Sequence, residues 1–109
     1  MFIAIANAIG RGGGFRSDGN VPVNTVAPVI SGIAIVGETL TSTTGTWTSD
    51  TGVIGYLYQW YREDNPINDA TNNTYVLESA DLGFVISCRV AATDLDGTSA
   101  YAGSNGILI

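Results

Sequence analysis

From residue 28 onward, no stretch of the chain places its apolar residues at a helical spacing. Short runs rich in Val, Ile, Thr and Tyr alternate instead with clusters of Gly, Asn, Asp and Ser. A chain patterned this way buries side chains from one face of each extended run and turns tightly between runs. That restricts it to an all-β sandwich or barrel. Seven strands are expected, over residues 29–36, 39–44, 56–62, around Ile67, 74–77, 84–93 and 98–102. Gly32 marks a kink or bulge in the first. Residues 46–48 extend the second past Gly45, and residues 107–109 continue the last. Residues 94–97 (DLDG) read as a hairpin turn, because Asp-Gly tolerates the positive φ that such turns require.

Alternation assigns the faces. Tyr56, Tyr58 and Trp60 point one way, and Leu57, Gln59 and Tyr61 the other. In the long late strand Phe84, Ile86, Cys88 and Val90 share a face opposite Ser87 and Arg89. Trp60 and Cys88 are expected in the core. Gln59, Tyr61, Ser87 and Arg89 then form an exposed sheet surface, on which Gln59, Tyr61 and Arg89 are the candidate ligand-binding residues.

Residues 1–27 differ in kind and are read as an arm preceding a domain of residues 28–109. The segment MFIAIANAIG is followed by GRGGGFRSDGN and then VPVNTVA. Glycines give such a segment freedom, and it has too little surface to fold alone. An exposed apolar stretch on a monomer is a liability, so the economical reading is a docking segment. Phe2, Ile3, Ile5 and Ile9, with Phe15, supply apolar contact to a partner protein as an added strand or plug. Arg11 and Arg16 pair with its acids. No basic residue precedes the apolar run, and it breaks at Gly10. Signal-peptide export is therefore not expected. Membrane insertion is not expected either, since a spanning helix needs roughly 20 apolar residues.

The residue inventory narrows the chemistry. The chain has no His, its four cations are all Arg, and it has one Cys. This leaves no His-based triad or metal site, no lysine Schiff base and no thiolate cage. No catalytic residue, metal or cofactor is assigned. Asp94, Asp96 and Gly97 resemble a fragment of a calcium loop, but residues 98–106 supply no further carboxylate, so a turn is the better reading. Glu63, Asp64, Asp69, Glu78 and Asp81 fall in expected turns rather than in a cleft, with Asp81 holding the turn before the long late strand. Cys88 is expected to be a buried, inert thiol. The net charge of −6 argues against a nucleic-acid surface.

The body resembles a bacterial and bacteriophage immunoglobulin-like domain. The resemblance is carried by APVISG (27–32), VGETLT (36–41), GTW (45–47), YQWYRED (58–64), PINDAT (66–71), TYVL (74–77), ADLG (80–83) and ISCRVAATDLDG (86–97). It implies an immunoglobulin-like β-sandwich of about seven strands behind an extended Gly-rich arm, with Trp60 and Cys88 at that family's core positions. The partner of Cys88 in the intersheet disulfide is missing, with Leu40 in its region. Ile86 stands where a corner tyrosine often sits. An apolar, Arg- and Gly-bearing arm before a sandwich is also similar to small phage virion proteins. That similarity implies a non-enzymatic decoration, head-fibre or tail-associated subunit, made in the host cytoplasm and held in several copies on the virion surface. Its partners would be capsid or tail proteins. The alternative is an adhesin module for a host receptor or surface glycan, using residues 49–55 and the Tyr61 face.

Overall fold

A computed structural model describes residues 20–109. They form eleven short strands: β1 (Val23–Val26), β2 (Ile30–Ser31), β3 (Thr39–Ser42), β4 (Thr46–Thr48), β5 (Gly55–Arg62), β6 (Asn65–Pro66), β7 (Thr74–Val76), β8 (Val85–Asp94), β9 (Gly97–Thr98), β10 (Ala102–Gly103) and β11 (Ile107–Leu108). The sole helical element among them is a single 3-10 turn, Ser79–Asp81. All pairings are antiparallel. β1 pairs with β4, and β2, β3 and β7 form a three-stranded sheet. A larger sheet runs β10-β8-β5-β6, with β9 and β11 also on β8.

The two most β-prone runs form the centre. β5 and β8 pair over eight positions, from Gly55 opposite Thr93 to Arg62 opposite Ile86, with Trp60 opposite Cys88. The alternation expected from sequence holds from Ile86 to Val90 and at Trp60, whereas Tyr56 is exposed and Ala91 and Ala92 are buried together. Trp60, Ile86, Cys88 and Val90 are fully buried and meet Ile30, Leu40, Tyr75 and Leu77. Strands of the three-stranded sheet supply Ile30, Leu40 and Tyr75, so two sheets pack face to face in a sandwich-like, all-β fold. Trp60 stacks on Tyr75 with ring centroids 5.6 Å apart, and its indole N–H donates to the Asn72 carbonyl at 2.7 Å.

Several expected strands are shorter or differently paired. The first stops at Ser31, because Gly32 turns the chain at φ 139°. A side chain there would meet Leu40 and the Thr39 carbonyl at 2.8 Å. Beyond it Ile33, Ile35 and Val36 are exposed, in a turn closed by the Glu38 N–H on the Ile35 carbonyl. Gly45, at φ 73°, likewise diverts residues 46–48 out of line with β3. They pair instead with Val23–Val26, a stretch that composition groups with the arm. Phe84 precedes β8 and is 42% exposed, so it does not share the core face of Ile86.

The last strand is split into β9, β10 and β11, and hydroxyls seal the gaps. Ser99 and Ser104 each donate a backbone N–H to β8, to Ala92 and Cys88 respectively. Their Oγ atoms, in place of carbonyls, accept the Ala92 N–H at 3.0 Å and the Cys88 N–H at 2.9 Å. The amide of Asn105 then reaches the other sheet. Its Oδ1 accepts the Ile30 N–H at 2.9 Å and its Nδ2 donates to the Ile30 carbonyl at 3.2 Å, so one side chain caps the open edge of β2.

Asp81 fastens the sheets at the opposite edge. Its fully buried carboxylate takes Arg62 of β5 on Oδ1, with Nε at 2.8 Å and Nη2 at 2.7 Å. On Oδ2 it takes the Tyr75 hydroxyl of β7 at 2.8 Å and the Glu78 N–H at 2.7 Å. Four donors saturate an ionised carboxylate, which offsets much of its desolvation. The hydrogen bond to Asp81 raises the pKa of Arg62, and burial opposes that rise. Burial, and then the bond to Asp81, push the Tyr75 phenol from 10.0 up to about 12. Asp81→Asn sets an amide NH₂ against these donors and should cost about 3 kcal/mol in urea unfolding. For Tyr75 the folded pKa lies above the unfolded one. Its contribution is therefore complete below pH 10 and lost as pH rises towards about 12. In an absorbance titration Tyr75→Phe should remove a phenol that ionises near pH 12 and flatten that alkaline loss.

Candidate functional surfaces

The outer face of β5 and β8 gathers the residues singled out as a ligand surface. Gln59 lies opposite Arg89 and Tyr61 opposite Ser87. All four are half-buried. The Arg89 guanidinium carbon sits 3.8 Å from the centre of the Tyr61 ring, a diagonal cross-strand cation–π stack. Gln59 is partly committed elsewhere: its Nε2 donates to the carbonyls of Trp60 and Ile67 at 2.9 and 2.8 Å. The face thus carries an aromatic–guanidinium stack, with polar capacity from the Arg89 N–H groups, the Tyr61 hydroxyl and Gln59 Oε1.

At one end of the body the loop of residues 49–55 is held by Asp94. The Ser49 hydroxyl donates to Asp94 Oδ2 at 2.6 Å and accepts the Gly52 N–H at 3.0 Å. Asp94 Oδ1 accepts the Asp96 N–H at 2.8 Å, which closes the β8–β9 turn. Asp94 is therefore committed to the turn and to the loop. Asn20, Val21, Val23, Thr48, Ser49 and Asp50 border a shallow recess of about 260 Å³ beside this loop. The described chain enters the fold here, with Val21 against Gly97.

The remaining acids do not converge. Asp81 is used by Arg62 and Tyr75, and Glu63 Oε2 accepts the Val85 N–H at 2.7 Å. Among the described residues no three of His, Cys, Asp and Glu are grouped to hold a metal. Cys88 is buried beside Trp60, and burial pushes its thiol pKa up, away from the thiolate that reactive chemistry needs. Among the described residues no helix is long and apolar enough to cross a membrane. The arm residues Phe2, Ile3, Ile5, Ile9, Arg11, Phe15 and Arg16 lie outside the described residues.

Sequence reasoning placed Asp81 in the turn before β8 but missed its partners. Arg62 and Tyr75 lie nineteen and six residues away, and no local pattern joins them. Comparison with protein-family models, with curated proteins and with solved structures finds no match.

Proposed function

We propose that the chain is a non-enzymatic structural subunit, an acidic immunoglobulin-like sandwich held on a virion by its N-terminal arm and displayed outwards. Two features support the immunoglobulin-like part. β2, β3 and β7 face a sheet of β6, β5 and β8 with the C-terminal strands on β8's far edge. Trp60 and Cys88 meet at its centre.

The observation that carries the function is the contrast between arm and body, together with the place where they join. Residues 1–27 carry Arg11 and Arg16 against Asp18, a side-chain charge of +1, whereas residues 28–109 carry nine acids against Arg62 and Arg89, or −7. The arm leads into the body beside Thr48, Asp50 and Gly97. The Gly83–Ile109 contact lies at the other end of β8, roughly 30 Å away along that ten-residue strand. An apolar, weakly basic anchor at one pole and an acidic body reaching away from it suit attachment and display. Like charge among bodies favours solubility and opposes direct body-to-body contact. Deleting residues 1–14 should leave the unfolding midpoint of the body unchanged and abolish incorporation into particles, scored by their protein content. Normal occupancy by the truncated chain would overturn the proposal.

The Tyr61–Arg89 stack favours one second reading, adhesion to a host glycan. Sugars stack on aromatic faces and hydrogen-bond to guanidinium groups. On a glycan array the body should then show saturable binding that Tyr61→Ala reduces at least about tenfold, as expected for a lost contact of about 1.4 kcal/mol. A blank array removes this reading and leaves the first intact.

A further inference from the structure

The edges of the two main sheets are not treated alike. Asn105 caps β2, hydroxyls and three short strands cover β8, and Pro66 sits in β6 at the rim of the larger sheet. β7 has no such cover among the described residues. Its register with β3 puts Thr39 opposite Val76 and Thr41 opposite Thr74. The flanking bonds, Ser42 N–H to the Asn73 carbonyl and Leu77 N–H to the Glu38 carbonyl, fix which residues face inward. Bonds to β3 therefore come from Asn73, Tyr75 and Leu77. The N–H and C=O groups of Thr74 and Val76 point away from the sheet.

They point into a groove of about 320 Å³ bordered by Ile67, Asp69, Ala70, Thr74, Val76 and Glu78. It offers a free strand edge, apolar contacts from Ile67, Ala70 and Val76 within a mixed lining that includes Asn68 and Asn72, and two carboxylates. One stretch of the chain outside the described residues matches all three. IAIA, residues 3–6, alternates at the strand period with Ile3 and Ile5 on one side, and Arg11 and Arg16 follow. The groove lies beside the Trp60–Arg62 end of β5, since Trp60 bonds to both Ile67 and Ala70. The arm joins the body near the Gly55–Asp94 end. Copies arranged head to tail bring the arm root of one to the groove of the next, and the ten residues between Ile9 and Asn20 reach up to roughly 35 Å.

Resting on the reading of the arm as the binding segment, we propose that its partner is a second copy of this chain: the apolar stretch of one arm adds as a strand to β7 of a neighbour, with its arginines towards Asp69 and Glu78. The contact is heterologous and propagates along a row of subunits.

Sedimentation equilibrium of the full chain over a wide concentration range tests this. The chain should self-associate, more weakly at high salt. Val76→Pro removes a donor that faces the groove and none that faces β3, so it should weaken association at least about tenfold with an unchanged melting temperature. Ile5→Lys lies outside the sandwich and should do the same, which keeps the test valid if proline disturbs the sheet. A chain that stays monomeric throughout, or association that both variants leave intact, overturns the proposal. A monomer whose Val76 amide is protected from exchange also overturns it, since the arm then docks on its own body. Lost particle incorporation on deleting residues 1–14, together with self-association that both substitutions leave intact, sinks this inference alone and leaves the anchoring reading standing.

Discussion

One carboxylate decides how the two sheets sit against each other. With a single cysteine, buried and unpaired, the fold has no covalent tie between its layers. Hydrophobic burial is strong but non-directional, and it would tolerate some sliding of one sheet over the other. Asp81 removes that freedom, because its oxygens need Arg62 from one sheet and Tyr75 from the other at hydrogen-bond distance. Desolvation of the carboxylate is the opposing cost, and such clusters add little net stability when complete. Their effect lies in what happens when they are incomplete: any slip leaves a buried charge without donors. Arg62 keeps 27% of its side chain in water, which lowers the cost of the pair on its own side.

The same logic runs through the rest of the sandwich. Polar groups at the edges of β8 and β2 are satisfied by side chains standing in for backbone, as Ser99, Ser104 and Asn105 do. Strands of two to four residues then suffice almost everywhere, because the long β5–β8 pair carries the framework. On the outer face of that pair Tyr61 and Arg89, both half-buried, stack on each other.

Much of this was legible in the sequence where it rested on local period. The in–out alternation from Ile86 to Val90, the burial of Trp60 and Cys88, the turn at residues 94–97 and the all-β class all follow from the spacing of apolar and turn residues. What was not legible rested on backbone sign or on distance. The position of Gly32 marks a kink, yet nothing local says that the strand ends there. Gly45 redirects Trp47 from β3 to a pairing with β1, a choice set by which edge lies free in three dimensions. Phe84 is as apolar as any core residue, but it precedes the strand and so escapes the alternation. Of the candidate site, the Tyr61–Arg89 face came from parity alone, whereas the commitment of Gln59 to the Ile67 carbonyl needed the fold of the β5–β6 hairpin.

Asn105 and Ile30 are seventy-five positions apart, and β9, β10 and β11 all dock on a strand laid down earlier. The first sheet edge of the body is thus finished by a side chain made seventy-five residues after it. A nascent chain emerging from a ribosome carries β2 uncapped and β8 with one side bare until residue 105 has cleared the exit tunnel. Contacts this remote in sequence slow the search for the native arrangement. The sandwich cannot close until that late segment has emerged, and for that interval its exposed strands are open to other chains in the same state.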